Sequence, residues 1–271
     1  MENCKLQQKF ECCFQDWINQ QNQDLEELLQ ALSLNKDDDD ENFQQLAAKG
    51  IKHFEDYTDK RALLAKHDAP SLLCPPWCTC FENAFLWIGG CRPSLSIRLV
   101  YSLCGAELNI DTGTADHLSA ASSSPLIESQ GNLADISSNQ LHLINSLHLK
   151  TIKAEGKLSD RMASLQEEIA DDPLAMIAKR ARQVGESSQS VDEVLQGHSV
   201  ALGCILVDAD KLRLSTVKEL FSILTPLQNA DLLAASKKLH LSMREWGKRR
   251  EQQMRDQCEM ITGDQEEEIN K

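Results

Sequence analysis

The sequence predicts an all-α fold, a multi-helix bundle of long amphipathic helices with a Ser-, Gly- and Asp-rich loop near residues 106–136. Three observations support this prediction. Apolar residues recur every three or four positions over several long segments, as in helices with one buried face. Three of the segments follow a Ser/Thr-x-x-Glu/Gln capping box. No run alternates apolar and polar residues convincingly with β-branched side chains, which is the pattern of a half-buried strand.

The first two predicted helices each carry one apolar stripe. The first stripe is interrupted only by Gln21, and the acidic run 36–41 ends the helix. Its members are Phe10, Phe14, Trp17, Leu25, Leu28 and Leu32. The second stripe comprises Phe43, Leu46, Ile51, Phe54 and Leu64. Three prolines in the segment 69–78 are expected to break this second helix.

Two shorter helices are predicted next. One lies around 80–88 and ends at Gly89-Gly90, read as a C-cap pair. The other begins near Pro93, which suits a first helical turn, and ends at Gly105.

The second half of the chain predicts longer helices. A predicted helix follows each of three capping boxes, at 137–140, 190–193 and 225–228. A further helix is predicted to begin at Pro173, between the first and second of these boxes. The helix after 137–140 carries the stripe Leu141, Ile144, His148, Ile152, Leu158, Met162, Leu165 and Ile169. We assign residues 1–258 to one helical domain and residues 259–271 to an acidic C-terminal tail.

Charge and cysteine usage exclude several protein classes. The formal net charge of -14 argues against a protein that coats nucleic acid. No window reaches about 18 uninterrupted apolar residues, so no transmembrane helix is predicted. The N-terminus lacks the apolar core of a signal peptide, so a cytosolic or nuclear protein with mostly reduced thiols is expected.

The cysteine-rich segment "CPPWCTC" (74–80) does not fit a metal site. Structural zinc sites use a second ligand pair farther along the chain, and here Cys91 and Cys104 stand singly. We predict that these cysteines pack as small apolar residues and that no metal binds. No phosphate loop, nucleophile elbow or zinc-protease motif occurs, and the residues alone therefore favour an interaction module over an enzyme.

The segment 82–105, "ENAFLWIGGCRPSLSIRLVYSLCG", resembles the signature of the plant Delay of Germination family. This seed-dormancy-control domain also forms the C-terminal region of TGA-class bZIP factors. The signature residues considered as candidate site residues are Trp87, Gly89, Gly90, Arg92, Pro93, Ser94 and Arg98. The segments 14–32, 164–175 and 223–247 resemble further family segments in the expected order. A basic region and leucine zipper are absent, so the chain resembles the stand-alone members.

The resemblance implies a non-enzymatic regulator that acts through protein–protein contacts in the nucleus and cytoplasm. Its implied roles are abscisic-acid-linked seed dormancy, stress or developmental signalling and transcription regulation. Type 2C protein phosphatases and bZIP factors are the implied partners, and self-association is compatible with the family. One alternative is a transcription-associated factor that contacts DNA directly or through a bZIP partner. Another is a haem or small-ligand sensor.

Two more sets of residues follow from the resemblance. Stand-alone members carry an N-terminal acidic-aromatic docking motif, which Phe14, Asp16 and Trp17 match loosely. The alternative is that Phe14 and Trp17 pack in the core. The family's haem segment has two histidines four residues apart. Here His240 remains and Arg244 takes the second position, so no haem cofactor is predicted.

Overall fold

The computed structural model describes residues 2–34, 40–105, 132–185 and 189–269, with side chains described from residue 8 to residue 258. Within these ranges the chain forms eight α-helices and two 3₁₀ turns. The α-helices are α1 (Glu2–Leu34), α2 (Asp40–Leu73), α3 (Cys80–Ala84), α4 (Ser94–Leu103), α5 (Ser138–Glu167), α6 (Leu174–Arg180), α7 (Gln189–Ile223) and α8 (Pro226–Ile269). The 3₁₀ turns are Asn132–Asp135 and Glu168–Ala170. The described residues contain no strand, and the all-α prediction is confirmed.

Five long helices build the body. Helix α2 packs against α1, α7 and α8, while α5 packs on the far side of α7. One apolar cluster lies where α4, α5, α7 and α8 meet, and it includes Ile97, Ile144 and Leu220. Two others lie beside α1, one around Phe10 and one around Leu28. None of the described helices combines the length and the apolar character needed to cross a membrane.

Helix α1 buries a face that is partly polar. Phe10, Phe14 and Leu28 are buried as predicted. Gln21 is also buried, so the residue that seemed to interrupt the stripe lies on the inner face. Trp17 is only half-buried, at the edge of that face. A polar residue on an apolar stripe is therefore part of the packing here.

Helix α2 is kinked rather than broken at its first proline. Asp68 leaves helical geometry with φ -158° and ψ 82°, and the helix continues past Pro70 to Leu73. The Asp68 carboxylate accepts hydrogen bonds from the Ser71 amide at 3.2 Å and the Ser71 hydroxyl at 2.5 Å. Asp68 thus caps the final turn, so the proline ring causes a kink there and the chain leaves the helix only before the Pro75-Pro76 pair.

The prediction of a helix over 80–88 with a glycine C-cap is wrong. Helix α3 ends at Ala84. The Thr79–Glu82 capping box supports its start, but Gly89 and Gly90 belong to a separate turn. Gly105, by contrast, follows α4 with φ +68°, as expected of a helix-terminating glycine.

Two of the three predicted capping boxes are confirmed. Ser137 caps α5 with Gln140, and Thr225 exchanges hydrogen bonds with Gln228 at the start of α8. The third is wrong, because α7 already begins at Gln189 and Ser190 lies inside it.

The predicted loop near 106–136 lies mainly outside the described residues. At the end of this segment, residues 132–135 form a 3₁₀ turn with Leu133 buried, which the prediction of a loop did not anticipate. The proposed acidic tail was expected to begin at residue 259. In the structure, helix α8 passes through this position and ends at Ile269.

Candidate functional site

The signature segment forms a tight turn between α3 and α4. The Trp87 amide donates to the Gly90 carbonyl at 2.8 Å, and the Gly90 amide donates to the Trp87 carbonyl at 3.2 Å. The two residues between them, Ile88 and Gly89, both have positive φ, +46° and +68°. Two successive positive φ values are the mark of a type I′ turn. A β-branched residue such as Ile88 rarely adopts this conformation, so the surroundings must hold the turn in place.

Close packing explains the two glycines. A Cβ on Gly89 would lie 2.6 Å from the Leu72 carbonyl oxygen. A Cβ on Gly90 would lie 2.8 Å from the guanidinium carbon of Arg213. Backbone and guanidinium therefore approach the turn more closely than any side chain would permit.

A buried arginine cluster, Arg61, Asp210 and Arg213, holds the turn. Arg213 Nε donates to the Cys91 carbonyl at 2.6 Å, and its Nη2 donates to the carbonyls of Trp87 and Ile88. Arg61 Nη2 donates to the Gly89 carbonyl at 2.8 Å. The two arginines thus satisfy four carbonyls that the turn leaves without helical partners.

Asp210 lies between the two arginines and offsets part of their charge. Its carboxylate accepts from Arg61 Nε at 2.9 Å and from Arg213 Nη1 at 2.6 Å. All three residues are at most 7% exposed. Burial opposes the charge on Arg61, but Asp210 and Tyr57 together outweigh the effect of burial and raise the pKa of that guanidinium. Charge-assisted hydrogen bonds in this setting fix α2, α7 and the turn to one another.

A second buried carboxylate anchors the other end of the signature. Glu155 of α5 is fully buried and accepts hydrogen bonds from Arg92 Nε at 2.6 Å and from the Ser94 amide at 2.6 Å. The Ser94 hydroxyl donates to it at 3.1 Å. A carboxylate at the first turn of α4 satisfies an amide that lacks a helical partner and complements the helix dipole.

The remaining signature residues divide between interior and surface. Pro93 is buried at the start of α4, and the Trp87 indole donates to the Ser159 hydroxyl at 3.0 Å. Arg98 is exposed. Apart from Arg98, the signature side chains therefore contact other parts of the fold, and the partly exposed Arg92 does so through Glu155.

The three N-terminal docking candidates occupy different environments. Phe14 is buried, with Arg244 5.0 Å from its ring centre. Trp17 stacks on Tyr57 of α2, with ring centres 4.4 Å apart and planes 7° apart. Asp16 is exposed. The structure does not bring the three side chains together on one surface.

The residues around His240 do not form a two-histidine site. Arg244, one turn later, supplies a guanidinium that lies 3.3 and 3.4 Å from the Glu82 carboxylate oxygens and 3.4 Å from the Trp77 carbonyl. Burial lowers the pKa of His240. Arg244 occupies the position of the second histidine and takes part in the contact between α8 and α3, so the residues present do not fit a haem held by two histidines.

The three cysteines of the segment 74–80 lie in different environments. Cys74 and Cys80 are exposed, whereas burial raises the pKa of Cys78 to about 12. No group of three or more metal-ligating side chains comes together among the described residues. A thiol with a raised pKa is a poor ligand and nucleophile at neutral pH.

Sequence reasoning missed a buried polar cluster between α1, α2 and α8. Lys237 donates to Gln21 Oε1 at 2.8 Å and to Asp24 at 2.9 Å, and His53 lies 2.9 Å from the same carboxylate. Burial opposes ionisation of Asp24, but His53 and Lys237 more than offset it and lower its pKa. The signal in the sequence was Gln21 and Asp24 on the apolar face of the first helix.

Together these features define an all-α domain organised around a glycine turn and two buried carboxylates. The family model described as seed dormancy control matches residues 24–102, which include Arg61 and the whole turn. A protein named DOG1-like 1 of Arabidopsis thaliana is 41% identical over 258 residues, covering 91% of this chain and 90% of the relative. The chain belongs to the Delay of Germination (DOG1) family.

More distant relatives extend the comparison. The protein RESPONSE TO ABA AND SALT 1 of Arabidopsis thaliana is 25% identical, covering 90% of this chain and 97% of the relative. Transcription factor TGA6 of the same plant is 26% identical, covering 81% of this chain but 57% of the factor. The chain therefore matches part of TGA6 and at least nine-tenths of DOG1-like 1 and RESPONSE TO ABA AND SALT 1.

Proposed function

We propose that the chain is a non-enzymatic plant regulator that acts through protein–protein contacts in abscisic-acid-linked dormancy, stress or developmental signalling. The observation that carries this proposal is the 41% identity to DOG1-like 1 over nine-tenths of both chains. The name of RESPONSE TO ABA AND SALT 1 supports the hormone assignment. Nuclear and cytoplasmic location, with an effect on transcription, is part of the same proposal.

The engagement of the signature residues supports a role without catalysis. The Trp87 side chain binds Ser159, and the Arg92 and Ser94 side chains bind Glu155. The backbone carbonyls of the turn accept hydrogen bonds from the buried arginine cluster, and these contacts hold helices together. A nucleophile, a base and an orienting group within hydrogen-bond reach of one another would be needed for a hydrolytic site. We therefore assign binding, rather than chemistry, to the exposed surface.

The proposed partners are type 2C protein phosphatases and bZIP factors. For the phosphatases, the N-terminal helix α1 supplies the docking candidates Asp16 and Trp17, one exposed and one half-buried. For the bZIP factors, similarity to TGA6 supports association with a member of that class. Self-association is a further contact of the same kind.

A second candidate function is that of a transcription-associated factor, and the similarity to TGA6 is the observation that favours it. We propose that any contact with DNA passes through a bZIP partner, since the chain carries a formal charge of -14. An electrophoretic shift at physiological salt tests this. A specific shift by the chain alone would contradict it, whereas a supershift of a bZIP–DNA complex would support it.

The haem-sensor alternative is disfavoured by the environment of His240. We propose that the chain does not bind haem through a pair of histidines, because Arg244 takes the second position and contacts Glu82.

Germination assays with matched variants test the proposed function. The wild-type chain, expressed in seeds that lack it, should change the abscisic acid sensitivity of germination. Gly89→Ala, which disrupts the signature turn, should not restore it, and Gly105→Ala serves as the matched control because open space surrounds that glycine. Tagged wild-type chain from the same seeds should enrich a phosphatase or a bZIP factor. An unchanged germination response together with no enriched regulatory partner would reject the proposal.

A further inference from the structure

An exposed surface where α3 crosses α8 combines aromatic and basic side chains. Phe85 is 60% exposed and Trp246 is 48% exposed. Arg250 lies one helical turn after Trp246, with its guanidinium carbon 5.8 Å from the Phe81 ring centre. Phe81 meets Phe85 edge-on with ring centres 5.1 Å apart. We call Phe81, Phe85, Trp246, Arg249 and Arg250 the aromatic–arginine surface.

The two helices that carry this surface are held together closely. The Cys80 amide donates to the Glu251 carboxylate at 2.7 Å. Gly247 packs so closely on Thr79 that a Cβ added to Gly247 would lie 2.2 Å from the Thr79 hydroxyl oxygen. The aromatic rings of α3 and the basic residues of α8 therefore keep a fixed spacing. A preorganised surface loses little conformational entropy when a partner binds.

The local charge is opposite to that of the whole chain. Residues 244–255 contain five basic and two acidic residues, whereas the chain carries -14. Both acidic residues are engaged, Glu245 with Lys248 at 2.7 Å and Glu251 with the Cys80 amide. Arg249 and Arg250 are exposed. Among the described residues neither arginine forms an ion pair, so the surface offers two exposed guanidinium groups beside exposed aromatic rings.

We propose that the aromatic–arginine surface docks an acidic helical segment of a partner protein. Carboxylates on that segment would face Arg249 and Arg250, and a large apolar side chain would cover Trp246 and Phe85. Trp and Arg dominate the binding energy of many interfaces, and opposite charge directs the approach. The proposal deepens the proposed function, on which it rests, by naming a surface and the chemistry of its partner.

Two other occupants fit the surface less well. A two-fold contact with a second copy would bring the same arginines of both copies together, and like charges oppose that arrangement. Binding of nucleic acid relies on the neutralisation of phosphates by Lys and Arg, and the formal charge of -14 opposes its approach. Arg249 and Arg250 supply two exposed cations beside the rings, and the rest of the protein repels the phosphates.

Fluorescence anisotropy with a defined probe tests the proposal. The probe is a fluorescein-labelled amphipathic peptide of about three helical turns, with Glu and Asp flanking Leu, Phe and Trp. We expect saturable binding by the full chain that weakens as salt rises. Trp246→Ala and Arg250→Glu should each weaken binding about tenfold. Arg249→Glu tests charge without removing a ring contact.

Matched controls come from the exposed face of α5. Leu149, which is 65% exposed, and Lys153, which is also exposed, provide Leu149→Ala and Lys153→Glu. These variants should bind as the wild type does. Far-UV circular dichroism of every variant establishes that it is folded. A probe in which Lys replaces Glu and Asp should not bind.

Several results would overturn the proposal. The first two are absence of saturable binding of the probe by the full chain, and binding by the surface variants equal to that of the wild-type chain. The other two are displacement of the probe by duplex DNA, and a dimer in sedimentation without peptide that depends on Trp246. The proposed function fails by a different criterion, namely an unaltered germination response. If the surface variants restore that response but lose the peptide, the docking surface is wrong and the regulatory function stands.

Discussion

Gly89→Ala tests whether the signature turn depends on close backbone packing. Gly89 has φ +68°, and an added Cβ would lie 2.6 Å from the Leu72 carbonyl oxygen and 3.2 Å from Arg61 Nη2. The nearest atom belongs to the backbone of α2, so it cannot rotate aside as a flexible side chain does. The turn must move, and the Arg61 hydrogen bond to the Gly89 carbonyl must lengthen or break.

The expected cost has two parts. An L-residue in the left-handed region costs roughly 1–2 kcal/mol. Loss of a hydrogen bond to a buried charged group adds roughly 1.5–3 kcal/mol. Gly89→Ala should therefore lower the free energy of unfolding by about 3–5 kcal/mol. Gly105 has the same φ of +68° with nothing within 4 Å, so Gly105→Ala isolates the first part.

Chemical and thermal unfolding followed by circular dichroism measure both variants. For a chain of this size, each kcal/mol shifts Tm by about 2–4 °C. Gly105→Ala should lower Tm by about 2–8 °C and Gly89→Ala by roughly 6–20 °C. Equal losses for the two variants would refute the reasoning, because backbone strain alone would then explain both.

Trp17→Ala should lower the free energy of unfolding by less than the roughly 3–5 kcal/mol of a fully buried aromatic residue, because Trp17 is half-buried and stacks on Tyr57; the same melts measure the loss. Normal stability with loss of phosphatase capture would instead identify a docking residue. The pKa of His240 is lower in the folded protein than in the unfolded chain, so the free energy of unfolding should decline as pH falls below about 6.5. Urea unfolding of His240→Gln should show a shallower decline of that free energy with falling pH. Haem titration should give no two-histidine absorption spectrum for the wild-type chain, and Arg244→His, which restores a second histidine one turn away, should produce one if the missing ligand is the reason. Elemental analysis should find no stoichiometric zinc, and about one zinc per chain lost on changing the cysteines of 74–80 to serine would contradict this.

Local signals in the sequence predicted the fold class and several helix ends. Capping residues act on amides two or three positions away, so Ser137 and Thr225 reveal the starts of α5 and α8 without knowledge of the rest of the chain. Gly89-Gly90 was misassigned because a helix C-cap and a type I′ turn both favour glycine. The close contacts of the glycines with Leu72 and Arg213, which identify the turn, come from distant parts of the chain and are not visible in the local sequence.

The candidate site depended on contacts that local patterns do not encode. Arg61 and Asp210 are 149 positions apart, and each is an ordinary charged residue within its own helix. Lys237 and Asp24 form a similar pair, although charged residues are usually exposed. The signature residues were found by resemblance, whereas the side chains that hold them required the folded structure.

The arginine cluster also governs the order in which the chain can fold during synthesis. The turn and Arg61 leave the ribosome more than a hundred residues before Asp210 and Arg213, at about 5–20 residues per second. Until α7 emerges, three carbonyls of the turn segment lack their donor Arg213, and Arg61, the donor to the fourth, lacks the carboxylate of Asp210. The N-terminal half must therefore wait for several seconds in an incomplete state, in which apolar surface on α2 is exposed to other proteins. Chaperone capture of nascent chains should therefore peak before α7 is made and end only after α8, which also packs against α1 and α2, has followed it.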